Sequence, residues 1–196
     1  MINLYTIFSN EVNELIVKNS RFISLIFKID NISDVSNIIT QIKKEYPKAT
    51  HYCYGYIFDD YSKCSDDGEP TNTAGLPILN VLMMENLNHV LVVVVRYFGG
   101  TLLGAGGLIR AYTKSVTEVL KLCSYKRLVA GKKISIQFPY SMEKQVNYLL
   151  SNNQSIIISK SYLDQISYVV LVSDDLLSSL SSFNYEILDS TYFEIS

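Results

Sequence analysis

Three carboxylates stand within four residues in the segment 65–70, which reads Ser-Asp-Asp-Gly-Glu-Pro. Asp66, Asp67 and Glu69 carry the oxygen ligands that Mg²⁺ and Ca²⁺ prefer, so the segment could hold a divalent cation. The same residue types also form tight turns, and their carboxylates cap the helices that follow. We favour a turn that is structural or faces a partner, and we predict no metal ligands and no cofactor.

A second segment, 96–107, runs from an apolar stretch through a glycine-rich loop into a helical pattern. Free backbone amides at the start of such a helix attract anions. The loop lacks the phosphate-loop lysine, because Ala105 follows Gly104, and it lacks the third dinucleotide-binding glycine, because Ile109 stands there. We therefore predict no catalytic residue but a possible binding site, whose candidate residues are Asp66, Asp67, Glu69, Arg96, Gly104, Gly106, Gly107 and Arg110.

Arg96 ends the apolar run 90–97 just before the glycine loop. A guanidinium at the end of a buried strand is costly unless it is paired. It could form an internal salt bridge to Asp66, Asp67 or Glu69, or it could clamp the phosphate or carboxylate of a ligand. Both alternatives place the two segments side by side, so we predict that they are adjacent.

These segments closely resemble the signature of the IMPACT family, bacterial proteins related to the eukaryotic translational regulator IMPACT. The matching pieces are residues 51–54 (HYCY), 65–82 (SDDGEPTNTAGLPILNVL) and 92–112 (VVVVRYFGGTLLGAGGLIRAY). The resemblance covers roughly the first two thirds of the chain. Leu76 stands where family members commonly carry Lys, so that cation is missing beside the acidic turn.

The resemblance implies an α+β fold in two domains. The first is of the ribosomal-protein-S5-domain-2-like type, with helices stacked on one side of a sheet. The second is a ferredoxin-like domain similar to the last domain of elongation factor G. In eukaryotic members the family restrains the kinase that senses uncharged tRNA, by competing for its activator. For this chain the resemblance implies a non-enzymatic regulatory or binding protein of translation, whose partner is the ribosome, RNA or a protein of the translation apparatus.

The hydrophobic pattern also predicts two domains, at 1–128 and 132–196. From residue 132 the order β-α-β-β-α-β is that of a ferredoxin-like domain, independently of any resemblance. The segment 125–133 is interpreted as a joint with Gly131 as a hinge. The predicted strands are 12–17, 21–29, 51–58, 90–97, 134–138, 155–162, 166–172 and 185–193, and the helices are 33–46 (capped by Ser33), 77–86, 106–123, 141–150 and 174–183.

Composition indicates a folded chain, since 48% of the residues are hydrophobic and 18% are charged. The longest apolar run, 90–95, is too short to cross a bilayer, and no secretory signal is read at the N-terminus, so we expect a cytoplasmic protein. Three cysteines without a CxxC pair agree with a reducing compartment. We interpret Cys53 as a buried structural thiol rather than a nucleophile, and His51 as a hydrogen-bonded structural histidine rather than a general base.

Charge is distributed unevenly along the chain. Residues 1–133 hold 15 Lys and Arg against 12 Asp and Glu, whereas residues 134–196 hold 2 against 7. Because nucleic-acid affinity depends on cations, the first domain and the joint are the candidate surface. The predicted nucleic-acid contacts are Lys126, Arg127, Lys132 and Lys133.

Two other function classes remain open. One is a magnesium-dependent enzyme or a binder of a phosphorylated small molecule or nucleotide, with phosphate on the loop 104–107, Arg96 and Arg110 neutralising it, and magnesium on the acidic turn. The other is a protein-interaction module whose acidic second domain docks on a basic surface.

Overall fold

The protein, described by a computed structural model over residues 3–153 and 155–194, divides after Lys126 into two compact units. Both units combine helices with antiparallel sheets, which confirms the predicted α+β class. Among the described residues, no helix is long and apolar enough to cross a membrane.

The first unit is built on a five-stranded antiparallel sheet, and the order of its strands is β2-β3-β6-β4-β5. Its short first strand, β1, bonds instead to the segment that follows the second helix, since Tyr5 N–H donates to the Asn86 carbonyl over 2.9 Å. The strands are β1 Leu4–Ile7, β2 Glu11–Val17, β3 Ser20–Lys28, β4 His51–Phe58, β5 Tyr61–Ser65 and β6 Val90–Tyr97, and the helices are α1 Asp34–Glu45, α2 Gly75–Met84 and α3 Ala105–Leu120.

The central strand β6 explains how this unit is layered. Its β-branched side chains suit a strand that is buried on both faces, and successive side chains point to opposite faces. Val92 and Val94 pack in the cluster that holds α2 and α3. Val93 and Val95 pack in the cluster that holds α1. The helices therefore cover both faces of the sheet, which corrects the expectation of helices on one side.

The second unit contains an antiparallel sheet of order β10-β7-β9-β8. Together with its two helices it has the predicted order β-α-β-β-α-β. Both helices pack on one face of the sheet, over a core that includes Ile134, Tyr168 and Val170. The elements are β7 Tyr125–Phe138, α4 Glu143–Asn152, β8 Ile156–Tyr162, β9 Ile166–Ser173, α5 Asp174–Ser179 and β10 Asn184–Glu194.

The segment 125–133 is not a hinged joint, because it forms the first nine residues of β7. Gly131 lies inside that strand, where an added Cβ would lie 2.5 Å from Cε1 of Phe193 and would overlap the Val172 carbonyl. This glycine therefore permits close approach between neighbouring strands rather than bending.

Three further differences concern local structure. The strands β1 and β5 were not predicted. Ser33 occupies the position before α1 but its side chain makes no capping bond, and the Asn31 side chain instead accepts the Ser33 N–H over 3.0 Å. Helix α5 ends at Ser179 rather than near 183, and its capping Ser173 does accept a bond from Leu176 N–H.

Candidate functional site

Four connections of the first unit meet at one end of its sheet. The carboxyl end of β6 lies beside the start of β3, where Arg21 pairs with Tyr97, and beside the start of β4, where His51 pairs with Arg96. The end of β5 lies next to the start of β4. We call this end of the sheet the signature end. Its connections are the turn 18–19, the loop 46–50, the acidic turn 66–74 and the glycine loop 98–104.

Asp66 holds the acidic turn against helix α2. Its Oδ1 accepts hydrogen bonds from the backbone amides of Ala74 at 3.0 Å and Gly75 at 2.8 Å, and its Oδ2 accepts one from Asn72 at 2.9 Å. Ala74 stands at the N-cap of α2 and has no side-chain acceptor. The carboxylate of Asp66 therefore satisfies the helix's first amides in place of a capping residue.

Asp67 joins the same turn to β4. Its Oδ2 accepts the Tyr52 N–H over 2.7 Å, and Lys43 Nζ lies 3.8 Å from its Oδ1. The Asp67 carbonyl oxygen lies 2.9 Å from His51 Nδ1, in agreement with a hydrogen-bonded structural histidine. The backbone has positive φ at Asp67 (42°) and Gly68 (87°), so a glycine suits the tip of this turn.

Glu69 and Arg96 form the ion pair that connects the two signature segments. Arg96 Nη1 lies 2.5 Å from Glu69 Oε1, and the two side chains are only 6% and 3% exposed. The Tyr112 hydroxyl donates to the same Oε1 over 2.7 Å, and His51 Nε2 lies 3.8 Å from Oε2. The predicted adjacency is confirmed, and of the two alternatives for Arg96 the structure shows the internal ion pair.

Aromatic rings enclose the Arg96 guanidinium. Its Cζ lies 5.3 Å from the centroid of the Phe22 ring and 5.6 Å from that of Phe98, within the range of cation–π attraction. The Nε atom is buried and has no hydrogen-bond partner among the described residues. The guanidinium is thus held by one carboxylate and two rings.

Cys53 lies beside this network, fully buried as predicted. Its Sγ is 3.0 Å from the Asp66 carbonyl oxygen and 3.3 Å from the Tyr112 hydroxyl. Burial raises the pKa of the Cys53 thiol to about 12 and also raises the pKa of Tyr112. Both groups therefore stay neutral at physiological pH, and a neutral thiol is a poor nucleophile.

The glycine loop is exposed at the start of α3. Gly104 has φ 70° and occupies the N-cap position, and Gly104, Ala105 and Gly106 are all exposed. Arg110 Nη1 lies 3.5 Å from where a Cβ on Gly106 would stand, so the guanidinium covers the first turn of the helix. A binding role for Gly104, Gly106, Gly107 and Arg110 stays a prediction.

Within residues 3–153 and 155–194, no group of three or more His, Cys, Asp or Glu side chains is placed to hold a metal ion. The carboxylates of the acidic turn have separate partners. Asp66 binds amides, Asp67 binds Tyr52, and Glu69 binds Arg96. The turn therefore offers no shared oxygen cluster for magnesium.

The four cations predicted to contact nucleic acid lie along β7. Lys126 Nζ lies 4.8 Å from the centroid of the Phe8 ring, and Lys132 Nζ donates to Ser190 Oγ over 2.8 Å. Lys133 follows Lys132 in a continuous strand, so the two side chains point to opposite faces of the sheet. Lys132 and Lys133 do not form one patch, and a role for them or for Arg127 stays a prediction.

No role of its own was predicted for Tyr112, and its bond to Glu69 was missed. A tyrosine is fully buried here among aliphatic residues, and a buried phenol normally finds a hydrogen-bond partner. That hydroxyl was the available signal, although sequence spacing does not show which acceptor it meets.

Known proteins resemble the chain over most of its length. Residues 18–120 match the Impact N-terminal domain. The IMPACT family member YvyE of Bacillus subtilis is 33% identical over 89% of this chain and 82% of its own length. Protein IMPACT-B of Xenopus tropicalis is 33% identical over 44% of this chain and 29% of its own length. A crystal structure of a hypothetical protein superposes with a TM-score of 0.70 at 28% identity, covering 96% of this chain and 97% of that one.

Proposed function

Because the chain belongs to the IMPACT family, we propose that it is a non-enzymatic regulatory protein of translation that binds RNA or the ribosome. This family is related to a eukaryotic translational regulator, and that relationship supports a role in translation. The closed network of the signature residues is the observation that supports a non-enzymatic role. A binding scaffold requires such residues to hold loops in place, whereas an enzyme requires them to reach a substrate.

The carboxylates of Asp66 and Glu69 and the thiol of Cys53 are already engaged or buried within the protein. The Asp66 carboxylate accepts three amide bonds, and the Glu69 carboxylate is bound by Arg96 and Tyr112. The Cys53 thiol is buried, with its pKa raised to about 12. The accessible groups of the connecting loops include the cations Lys18 and Lys48 and the apolar side chains of Phe98 and Leu102, which suits a contact surface.

An RNA or ribosomal partner agrees with the distribution of charge. The excess of Lys and Arg over Asp and Glu lies within residues 1–133, and phosphate backbones are bound chiefly through cations. A protein of the translation apparatus is the other partner class that the family suggests, and an acidic protein would use the same cations.

Co-sedimentation with purified ribosomes across a salt series tests the proposal. We expect the full chain to pellet with ribosomes at low salt and to be released as salt rises, because phosphate contacts release counterions. The chain centrifuged without ribosomes is the control. Absence of association at every salt concentration would refute the ribosome version of this function.

A second candidate, binding of a phosphorylated small molecule, is favoured by the exposed amides at Gly104–Gly106 beneath the Arg110 guanidinium. Thermal shift measured with nucleotides, with and without magnesium, separates the two functions. Stabilisation by a nucleotide would favour this candidate, and no shift with any nucleotide would exclude a nucleotide as the ligand.

A further inference from the structure

We infer that the nucleic acid binds at the signature end of the first unit, through Lys18, Lys48 and Arg110, rather than along β7. This inference rests on the proposed function and names its binding surface. The chemistry is that of a phosphate backbone meeting exposed cations on adjoining loops.

The loops at the signature end are fastened into one surface. The Tyr97 hydroxyl donates to the Pro47 carbonyl over 3.2 Å, and the Phe98 N–H donates to Thr50 Oγ1 over 3.0 Å. Gly99 lies so close to the backbone of Asn19 that an added Cβ would overlap it. The turn 18–19, the loop 46–50 and the start of the glycine loop are therefore neighbours.

Cations on this surface outnumber the carboxylates that remain free to neutralise them. Lys18, Lys44, Lys48 and Arg110 are exposed, and within the described residues they form no ion pair. Glu45, next to Lys44 in the sequence, is an exposed carboxylate without an ion pair among the described residues.

The other carboxylates at this end are already paired. Glu14 binds Arg21 through two bonds of 2.9 and 3.0 Å, and Asp67 meets Lys43. Asp66 and Glu69 are engaged inside the signature network. The surface therefore presents uncompensated positive charge, which attracts a polyanion.

The backbone supplies an independent argument. Lys18 and Lys48 have φ of 45° and 63°, a left-handed conformation in which Asn and Gly are the favoured residues. Turn geometry alone would select those residues, yet lysine stands at both tips. Residues held in this region cluster at functional sites, and both of these lysines are exposed.

RNA fits this surface better than an acidic protein does. Phe98 is 45% exposed beside the Arg96 guanidinium, so part of its ring is available for a base to stack on. The β7 cations are more dispersed, because the neighbours Lys132 and Lys133 point to opposite faces of the sheet.

The test compares full-length variants in which lysines are replaced by asparagine. Lys18→Asn with Lys48→Asn removes two charges while keeping a residue that accepts the left-handed turn. Binding of a labelled oligo-uridine is measured across a salt series. For single-stranded RNA each lost phosphate contact reduces the magnitude of the negative slope of log K against log[salt] by about 0.7, so we expect the slope to become less steep by about 1.4.

Two further double variants complete the set. Lys132→Asn with Lys133→Asn tests the competing surface along β7, and Lys63→Asn with Lys144→Asn, which removes two exposed cations from β5 and α4, is the control for net charge. Both should retain the wild-type slope. Ribosome co-sedimentation of the same set should follow the same order, and thermal unfolding confirms that each variant folds.

Two outcomes would overturn the inference while leaving the proposed function intact. One is loss of binding in the Lys132 and Lys133 variant alone. The other is equal loss in all three double variants, which would indicate only net charge. If poly-glutamate competed with the RNA as strongly as unlabelled RNA of equal charge, the surface would be one for an acidic protein. A wild-type chain that bound neither RNA nor ribosomes would refute both proposals.

Discussion

Removing the Glu69 carboxylate should destabilise the first unit far more than removing an exposed one. Glu69→Ala leaves the Arg96 guanidinium, which is 6% exposed in the native structure, without a counter-ion. Breaking a buried pair in this way typically costs about 3–5 kcal/mol, because the remaining charge stays desolvated. The Tyr112 hydroxyl also loses its acceptor at 2.7 Å, so we expect a value toward the upper part of that range.

The cysteines provide an assay for this unit alone, because Cys53, Cys64 and Cys123 all precede Lys126. Thiol labelling after equilibration in urea reports when the unit unfolds, and its midpoint gives the change in free energy. Glu14→Ala, which breaks an exposed pair, is the control and should leave the midpoint unchanged.

A double replacement separates charge from packing. Replacing both partners by apolar residues, Glu69→Leu with Arg96→Met, should recover much of the lost stability, because no charge then remains buried. If Glu69→Ala shifted the midpoint no further than Glu14→Ala, or if the double replacement were as unstable as the sum of its single changes, the argument for a desolvated pair would be refuted.

Three other outcomes follow from the structure. Gly75→Ala should destabilise the protein, because the added Cβ would lie 2.7 Å from the Ser65 backbone. In Gly106→Ala the Cβ meets only the end of the Arg110 side chain at 3.5 Å, so this variant should be more stable by about 0.5–1 kcal/mol. Thermal unfolding of the two variants tests the contrast. Asp66→Ala should lower the free energy of unfolding by about 2 kcal/mol, since three amides lose their acceptor. Urea denaturation measures this change, and an unchanged midpoint of the transition would contradict the capping role. The free energy of unfolding should fall as pH rises above about 9, where the unfolded Cys53 thiol ionises while the folded one, with a pKa of about 12, does not; Cys53→Ala should reduce this loss.

The elements with strong hydrophobic patterns were predictable from sequence. Strand β6 was predicted with its observed bounds, and so was β4, because β-branched and aromatic runs between turn residues are typical of strands. The strand β5 was missed because it lies at the edge of the sheet, where Ser62 and Lys63 are exposed and leave no apolar alternation. The start of β7 was interpreted as a joint because its Lys and Arg residues hide the apolar alternation that is typical of a strand.

At the site, sequence reasoning identified the contact but not all of its partners. A buried Arg96 requires an anion, and the acidic turn offers three carboxylates that could supply it. Choosing Glu69 over Asp66 and Asp67 required the folded turn, in which the first two carboxylates accept hydrogen bonds from backbone amides. The bond from Tyr112 joins residues 43 positions apart, a separation that local pattern does not resolve.

The place of β6 in the sheet determines the order in which the first unit can be assembled during synthesis. The pairs β2–β3 and β4–β5 are hairpins that can form from local sequence, but each leaves a strand edge open until β6 is inserted between β3 and β4. Contacts between distant residues, such as Ile23 with Val95, form slowly because their loop must close first. A nascent chain that ends before Val90 therefore has two separate hairpins with open edges and a Glu69 without its arginine. Until β6, which carries Arg96, has been inserted, these open strand edges can pair with the strands of other chains.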